Sequence, residues 1–308
     1  MSLPSLQKYH KAPYPAIDPK RPELSQAGKT VLITGGNTGI GFAIARAFTA
    51  ASAKRVILTG RRPDVVRDSA AQLAREAEQL GSPTVADGRV CDVSSLEASG
   101  KLWADLQAEG IVVDVLVLNA AAMGAQKSIL ENGRDGVWQD FLVNVRTPLD
   151  FAERLYKQPG QGTRQKFIVN VSTIASYMWT TMGGDRPTYG LTKLSGNAVV
   201  QQIARDVKPE VMQIVSFHPG GILSESARKH IPEQVINSMV WDDENLPGRL
   251  AVFLASPEAE FLHGRFIWSN WDVEELKTGV VGEQIKKEPH FLKAGIEGLS
   301  ESMLPPKF

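Results

Sequence analysis

Short apolar runs alternate along this chain with segments whose apolar residues recur every three to four positions, which predicts strands and helices in turn. Strands are expected over residues 31–33, 55–58, 84–90, 112–118, 167–171, 211–217 and 265–268. Helices are expected over 40–50, 64–80, 141–156, 189–207 and 245–255. The strand segments are apolar almost throughout rather than at alternate positions, so both of their faces are covered. Such strands separated by helices predict an α/β fold, a single doubly wound parallel sheet with helices on both faces. Pro13, Pro15, Pro19 and Pro22 discourage a helix near the start, so residues 1–28 are expected to be an N-terminal arm. The body is expected to span 29–272, with a C-terminal extension over 273–308.

Composition narrows the function classes. Thirty-four lysines and arginines balance 34 aspartates and glutamates, so no global field draws the chain to nucleic acid or an anionic membrane. No basic stripe with interleaved aromatics is present, and the five histidines lack ligand spacing, so neither a nucleic-acid partner nor a metal is expected. No apolar run is long enough to span a bilayer, and the N-terminal stretch lacks the apolar core of a signal peptide. Cys91 is the single cysteine, which fits a reducing compartment; a cytoplasmic protein is expected, with Cys91 a packed thiol.

The candidate chemistry lies at the predicted strand ends. Thr34-Gly35-Gly36-Asn37-Thr38-Gly39-Ile40-Gly41 joins the first strand to the first helix. Glycines permit a tight turn and close backbone approach, and the helix N-terminus favours phosphate, which is the logic of a dinucleotide site. Gly35, Asn37, Thr38, Gly39, Ile40 and Gly41 are its candidate contacts. Arg61 and Arg62 end the second strand about twenty residues on, where an NAD-binding chain carries an acid; their charge suits the 2′-phosphate of NADP(H). Asp92 can bond an adenine amino group or cap the following segment. Asn119, Ala120 and the alanines after them leave room for a flat ring at the end of the fourth strand.

Tyr189 and Lys193 share a helix face at i, i+4, so an ammonium lies one turn from a phenol and favours the phenolate. Ser172 and Thr173 each offer a hydroxyl for a developing oxyanion at the end of the fifth strand. Asn144, inside a predicted helix, is either solvated or holds a water that links Lys193 to solvent.

This set, together with Pro219-Gly220, resembles the short-chain dehydrogenase/reductase family, with the motifs in the family's order from about residue 29 to 225. The resemblance implies a Rossmann-type fold and hydride transfer with NADP(H) to or from a carbonyl carbon. It implies Tyr189 as proton donor and acceptor, with Lys193 lowering its pKa and holding the nicotinamide ribose, and Asn144 supporting a relay. Ile40, Asp92 and Asn119 would contact the cofactor, as would Arg146, and Pro219, Gly220, Ile222 and Ser224 would lie at its nicotinamide end. A homo-oligomer, dimer or tetramer, is common in the family. Matching by position puts the catalytic hydroxyl on Thr173 where the family usually has serine, with Ser172 as the rival. The stretch from Thr173 to Tyr189 is longer than usual, and Met178, Trp179 and Met182 within it suggest a pocket for an apolar or aromatic small molecule. The C-terminal run from Leu254 to Asp272 resembles fungal short-chain reductases, many associated with secondary metabolism; Trp268 and Trp271 would line the pocket, a subunit interface or the core. His218 is taken as structural. A non-catalytic NADP(H)-binding sensor or partner subunit is the alternative, against which the full set of Asn144, hydroxyl, Tyr189 and Lys193 argues.

Overall fold

The computed structural model describes residues 6–160, 162, 164–178, 184–224, 228, 231 and 233–296. Its centre is a seven-stranded sheet: β1 (Thr30–Ile33), β2 (Arg55–Gly60), β3 (Val85–Val90), β4 (Val115–Leu118), β5 (Lys166–Val171), β6 (Met212–His218) and β7 (Phe266–Trp268). Every pairing is parallel and the order is β3-β2-β1-β4-β5-β6-β7. The strand order reverses between β1 and β4. That opens a crevice at the carboxyl ends of the strands, where ligands bind in sheets of this kind.

The strands bury both faces by simple alternation. Val31, Ile33, Val56, Leu58, Val115, Val117, Phe167, Val169, Val215 and Phe217 point into one core. Leu32, Ile57, Leu116, Leu118, Ile168, Met212 and Ile214 point into the other. The first core is covered by α1 (Gly39–Ala50), α2 (Pro63–Leu80) and α8 (Asn245–Leu254). The second is covered by α3 (Leu96–Ala108), α5 (Thr147–Lys157) and α6 (Pro187–Asp206). Between β4 and α5 lie α4 (Ile129–Phe141) and one π-helical turn (Leu142–Arg146), and α7 (Glu233–Ser238) follows β6. The single helix expected over 141–156 is therefore divided. The hydrophobic pattern also predicted neither α3 nor α4.

Arm residues Leu6, Tyr14, Ile17 and Leu24 are buried in the first core. So are Val273 and Leu276 of α9 (Val273–Lys277) and Val281 and Ile285 of α10 (Gly279–Lys287). Both flanks of the chain thus share one apolar core with the sheet. Among the described residues, no helix is long and apolar enough to cross a membrane.

Candidate active site

The glycine loop is stitched to the neighbouring strand by side chains. The Thr34 N–H donates to the Val117 carbonyl at 3.0 Å. The Thr34 hydroxyl accepts from the N–H groups of Asn119 (2.9 Å) and Ala120 (3.1 Å). In return the Asn119 amide donates to the carbonyls of Thr34 (3.0 Å) and Gly35 (2.9 Å), so this side chain is spent on shaping the loop. Gly35 and Gly39 have φ of +62° and +51°, a region that favours glycine. A Cβ at Gly41 would lie 2.2 Å from the Gly35 carbonyl oxygen, so the helix start folds back on the loop only because that position has no side chain.

Thr38, the N-cap of α1, is exposed and offers no side-chain cap, which leaves the first N–H groups of the helix for another acceptor. Asn37 is buried instead. A Cβ at Gly60 would lie 2.5 Å from its Oδ1, and its carbonyl accepts from the Ser69 hydroxyl at 2.7 Å. Arg61 and Arg62 are exposed at the tip of β2, and neither guanidinium makes a hydrogen bond or close ion pair among the described residues. An uncapped helix start, a cradle that a Cβ would fill and two exposed guanidinium groups together suit a dinucleotide carrying an extra phosphate.

Asp92, at the tip of β3, accepts from the Ser94 N–H (2.9 Å) and hydroxyl (2.6 Å), and these bonds, with the nearby Arg61 charge, hold its carboxyl below the usual range. It is not the cap of α3. Ser95 fills that role, accepting from the Ala98 N–H at 3.2 Å. Arg146 donates to the Ser94 carbonyl and the Thr147 hydroxyl donates to the Val93 carbonyl, so the π-helical turn is tied to the same loop. Cys91 is buried, and burial pushes its thiol up to about 11, as befits a packed side chain.

The proton-transfer residues converge at the tip of β5. Thr173 begins a short 3₁₀ turn (Ile174–Ser176), its hydroxyl accepting from the Ala175 N–H at 3.2 Å. The same hydroxyl lies beside the Tyr189 phenol, near the start of α6, close enough to bear on its pKa. Ser172 points elsewhere; its hydroxyl is buried with no partner among the described residues. Lys193 is buried, and its ammonium donates to the Val171 carbonyl at 2.7 Å. Burial lowers Lys193 to about 8. Burial raises Tyr189, and the neighbouring Thr173 hydroxyl opposes that rise. Desolvation dominates at the tyrosine, and the Lys193 ammonium is turned to a backbone carbonyl.

Asn144 is buried in the π-helical turn with its side chain fully engaged. It accepts from the Ala122 N–H (2.9 Å) and donates to the Ala122 carbonyl (2.8 Å) and the Thr192 hydroxyl (2.9 Å). The amide therefore fastens the β4 loop to α6 and is not solvated. Its main-chain carbonyl would normally accept from position 148, which is a proline without an N–H. A Cβ at Gly196 of α6 would come within 2.2 Å of that carbonyl oxygen. Behind these residues runs a polar network that the sequence patterns did not reveal. Asn170 donates to Asn197 (2.9 Å) and Ser216 (3.0 Å), Asn197 to Ser176 (3.3 Å), and Ser176 to the Thr173 carbonyl (2.7 Å). The available signal was the run of polar positions Thr192, Lys193 and Asn197 on the helix face that packs inward.

Beyond β6, Pro219, Gly220 and Ile222 are buried. Ser224 crosses to the other side of the crevice; a Cβ at Gly39 would meet its Cβ at 3.5 Å. His218 is buried and lowered to about 4 by desolvation, with its ring against Trp268 at 5.2 Å. Trp268 stacks on Trp271 at 5.7 Å and donates to the Tyr177 hydroxyl at 2.8 Å. These aromatics link the segment after Thr173 to the end of β7. Met178 is partly buried, while Trp179 and Met182 lie outside the described residues. Among the described residues no group of three or more histidine, cysteine or carboxylate side chains is placed to hold a metal.

Residues 35–270 match the family model described as enoyl-(acyl carrier protein) reductase. The short chain dehydrogenase/reductase AacuD of Aspergillus aculeatus is 32% identical over 292 residues, covering 94% of this chain and 95% of the relative. A short chain dehydrogenase/reductase of Claviceps purpurea is 32% identical over 299 residues, covering 96% and 95%. Among solved structures, RhlG of Pseudomonas aeruginosa in an NADP active-site complex superposes with a TM-score of 0.69 at 22% identity, over 80% of this chain and 97% of that one. A 7α-hydroxysteroid dehydrogenase complexed with NADH and 7-oxo glycochenodeoxycholic acid gives a TM-score of 0.69 at 20% identity, over 84% and 97%. At those identities the two structures speak for the fold.

Proposed function

The chain belongs to the short-chain dehydrogenase/reductase family, and on that premise we propose that it uses NADP(H) to interconvert a ketone or aldehyde with the corresponding alcohol on a small apolar or aromatic metabolite. The observation that carries this reading is the convergence of the Tyr189 phenol and the Thr173 hydroxyl at the tip of β5, with the Lys193 ammonium, one helical turn on, donating to the Val171 carbonyl.

When bound, the nicotinamide supplies or accepts the hydride at the carbonyl carbon. The glycine loop and the start of α1 hold its diphosphate, and Arg61 and Arg62 the 2′-phosphate. Tyr189, kept protonated by burial, gives its proton to the carbonyl oxygen as charge develops there. Thr173 donates a hydrogen bond to the same oxygen. Lys193 supplies positive charge beside the phenolate that remains, and in oxidation the proton returns along the same path. The aromatic surface of Tyr177 and Trp268 favours an apolar substrate.

The test is turnover of a panel of aromatic and aliphatic ketones with NADPH and NADH. NADPH is expected to be preferred. Tyr189→Phe is expected to lose about 10²- to 10⁴-fold in turnover while NADPH binding is kept, since the phenol's contribution is proton transfer. Full activity in that variant would refute the role of Tyr189, and a preference for NADH would refute that of Arg61 and Arg62.

A further inference from the structure

Gly220 and Gly221 turn the chain just after β6, and their geometry is held from outside. Gly220 has φ of +92°. A Cβ there would lie 2.6 Å from Asp242 Oδ2 and 3.3 Å from both Asn270 Oδ1 and Ser269 Oγ. Asp242 Oδ2 accepts from the Gly221 N–H at 2.8 Å, and the Asp242 N–H donates to the Gly221 carbonyl at 2.9 Å. The Asp242 side chain is only 8% exposed.

The N-terminal arm grips two of the three residues that enclose this turn, Asn270 and Asp242. The His10 N–H donates to the Asn270 carbonyl at 2.8 Å, and the Asn270 amide donates back to the His10 carbonyl at 2.9 Å. The next residue reaches the other side. Lys11 Nζ donates to the Val240 carbonyl at 2.7 Å and lies 3.7 Å from Asp242 Oδ1, while the Lys11 carbonyl accepts from the Asp243 N–H at 2.7 Å. An antiparallel bridge from Tyr9 to Trp271 and a 2.8 Å contact between His10 and Asp272 fix the arm against the end of β7. The Lys11 side chain is 61% exposed, so it adds little to the core.

We propose that the arm is a positioning element of the active site: Lys11, acting through Asp242, sets the turn at Gly220-Gly221 and with it the nicotinamide end of the crevice. This rests on the reading of the site as an NADP(H) oxidoreductase. The Lys11 ammonium, 3.7 Å from its second oxygen, helps to hold this nearly buried carboxylate in its orientation. Asp242 can then present its first oxygen to the Gly221 N–H as a charge-assisted bond, stronger than a neutral one. The turn cannot form this way with a side chain at position 220, and Asn270, also packed on it, is clasped by the same stretch of arm. Lys11 and Asp242 touch neither Tyr189 nor Thr173, so their influence is on placement and not on proton transfer.

The experiment measures NADPH binding by nicotinamide fluorescence, steady-state kinetics and thermal unfolding for the full chain and for Lys11→Met, Lys11→Arg and Asp242→Asn. Lys11→Met is expected to weaken NADPH binding or lower kcat by about three- to tenfold, with an unfolding midpoint within about 1 °C, because an exposed ammonium contributes little to stability. Lys11→Arg keeps the charge and is expected to restore most of the loss. Asp242→Asn, which keeps an acceptor for the Gly221 N–H and drops the charge, is expected to match Lys11→Met. Unchanged binding and kinetics in Lys11→Met, or failure of Lys11→Arg to restore them, would overturn the proposal. Absence of NADPH binding by the unaltered chain would overturn the reading of the site itself, and the two failures are read separately.

Discussion

Two adjacent hydroxyls, one residue apart at the tip of β5, differ in what surrounds them. Thr173 reaches the Tyr189 phenol, whereas Ser172 is buried without a partner among the described residues. Thr173→Ala is therefore expected to lower kcat by about 10²- to 10³-fold, as loss of an oxyanion donor does, and Thr173→Ser to recover much of it. Ser172→Ala is expected to leave kcat within a few-fold, because its hydroxyl has no bond to lose. Steady-state kinetics on the three variants checks this, and a reversed order would move the role to Ser172. Lys193 adds a pH dependence. Burial brings it down to about 8 from the usual lysine value, so the ammonium is lost as pH rises through that point. The kcat/KM for carbonyl reduction, which reports the free protein, is expected to fall above about pH 8. Stability moves the other way. Between that value and the ordinary lysine pKa the folded chain has released a proton that the unfolded chain keeps, so this residue's contribution to stability rises with pH. Chemical denaturation across the same range separates loss of the ammonium from unfolding.

The elements that carry the site depend on close backbone approach as much as on side chains. Gly196 of α6 faces the Asn144 carbonyl, where a Cβ would sit 2.2 Å from the oxygen. In an exposed helix, replacing glycine by alanine gains up to about 1 kcal/mol. Here Gly196→Ala is expected to destabilise by about 1–3 kcal/mol instead, because α6 must move off the π-helical turn, and to lower kcat because Tyr189 and Lys193 ride on that helix. Denaturant midpoints and turnover measured together test both parts. Largely apolar runs made β1, β4, β5 and β6 legible from sequence, because burial on both faces favours apolar residues at successive positions. In contrast, α4 has only Asp140 buried and Leu130 93% exposed, so it carries no apolar stripe to read. The motif residues of the site were visible as local patterns, but their partners were not. Asn144 and Thr192 lie 48 residues apart in sequence, Asn170 and Asn197 27 apart, and each pair meets only once α6 docks on the sheet.

At the scale of the whole molecule, the two flanks of the chain close on the same face of the sheet. Ile17 and Leu24 from the arm and Val273 and Leu276 from α9 are fully buried, in the same cluster as Val31, Phe217 and Leu250. The Tyr14 hydroxyl ties the flanks together, donating to the Trp271 carbonyl at 3.0 Å and accepting from the Val273 N–H at 3.0 Å. A segment merely laid on a finished domain would unfold locally, and damage to it would leave the global transition in place. A segment that shares the core should instead unfold with it. Ile17→Ala removes a side chain with no exposure from a packed interior and is expected to cost about 2–5 kcal/mol. The loss should appear as a lower midpoint of one cooperative transition, with the same shift by tryptophan fluorescence and by circular dichroism. Tyr9→Ala, at a side chain 41% exposed, is the control and is expected to cost much less. If Ile17→Ala left the main transition where it was and only loosened amide exchange in residues 6–28, the arm would be an appendage, and the cluster that joins it to the sheet would not be one cooperative core.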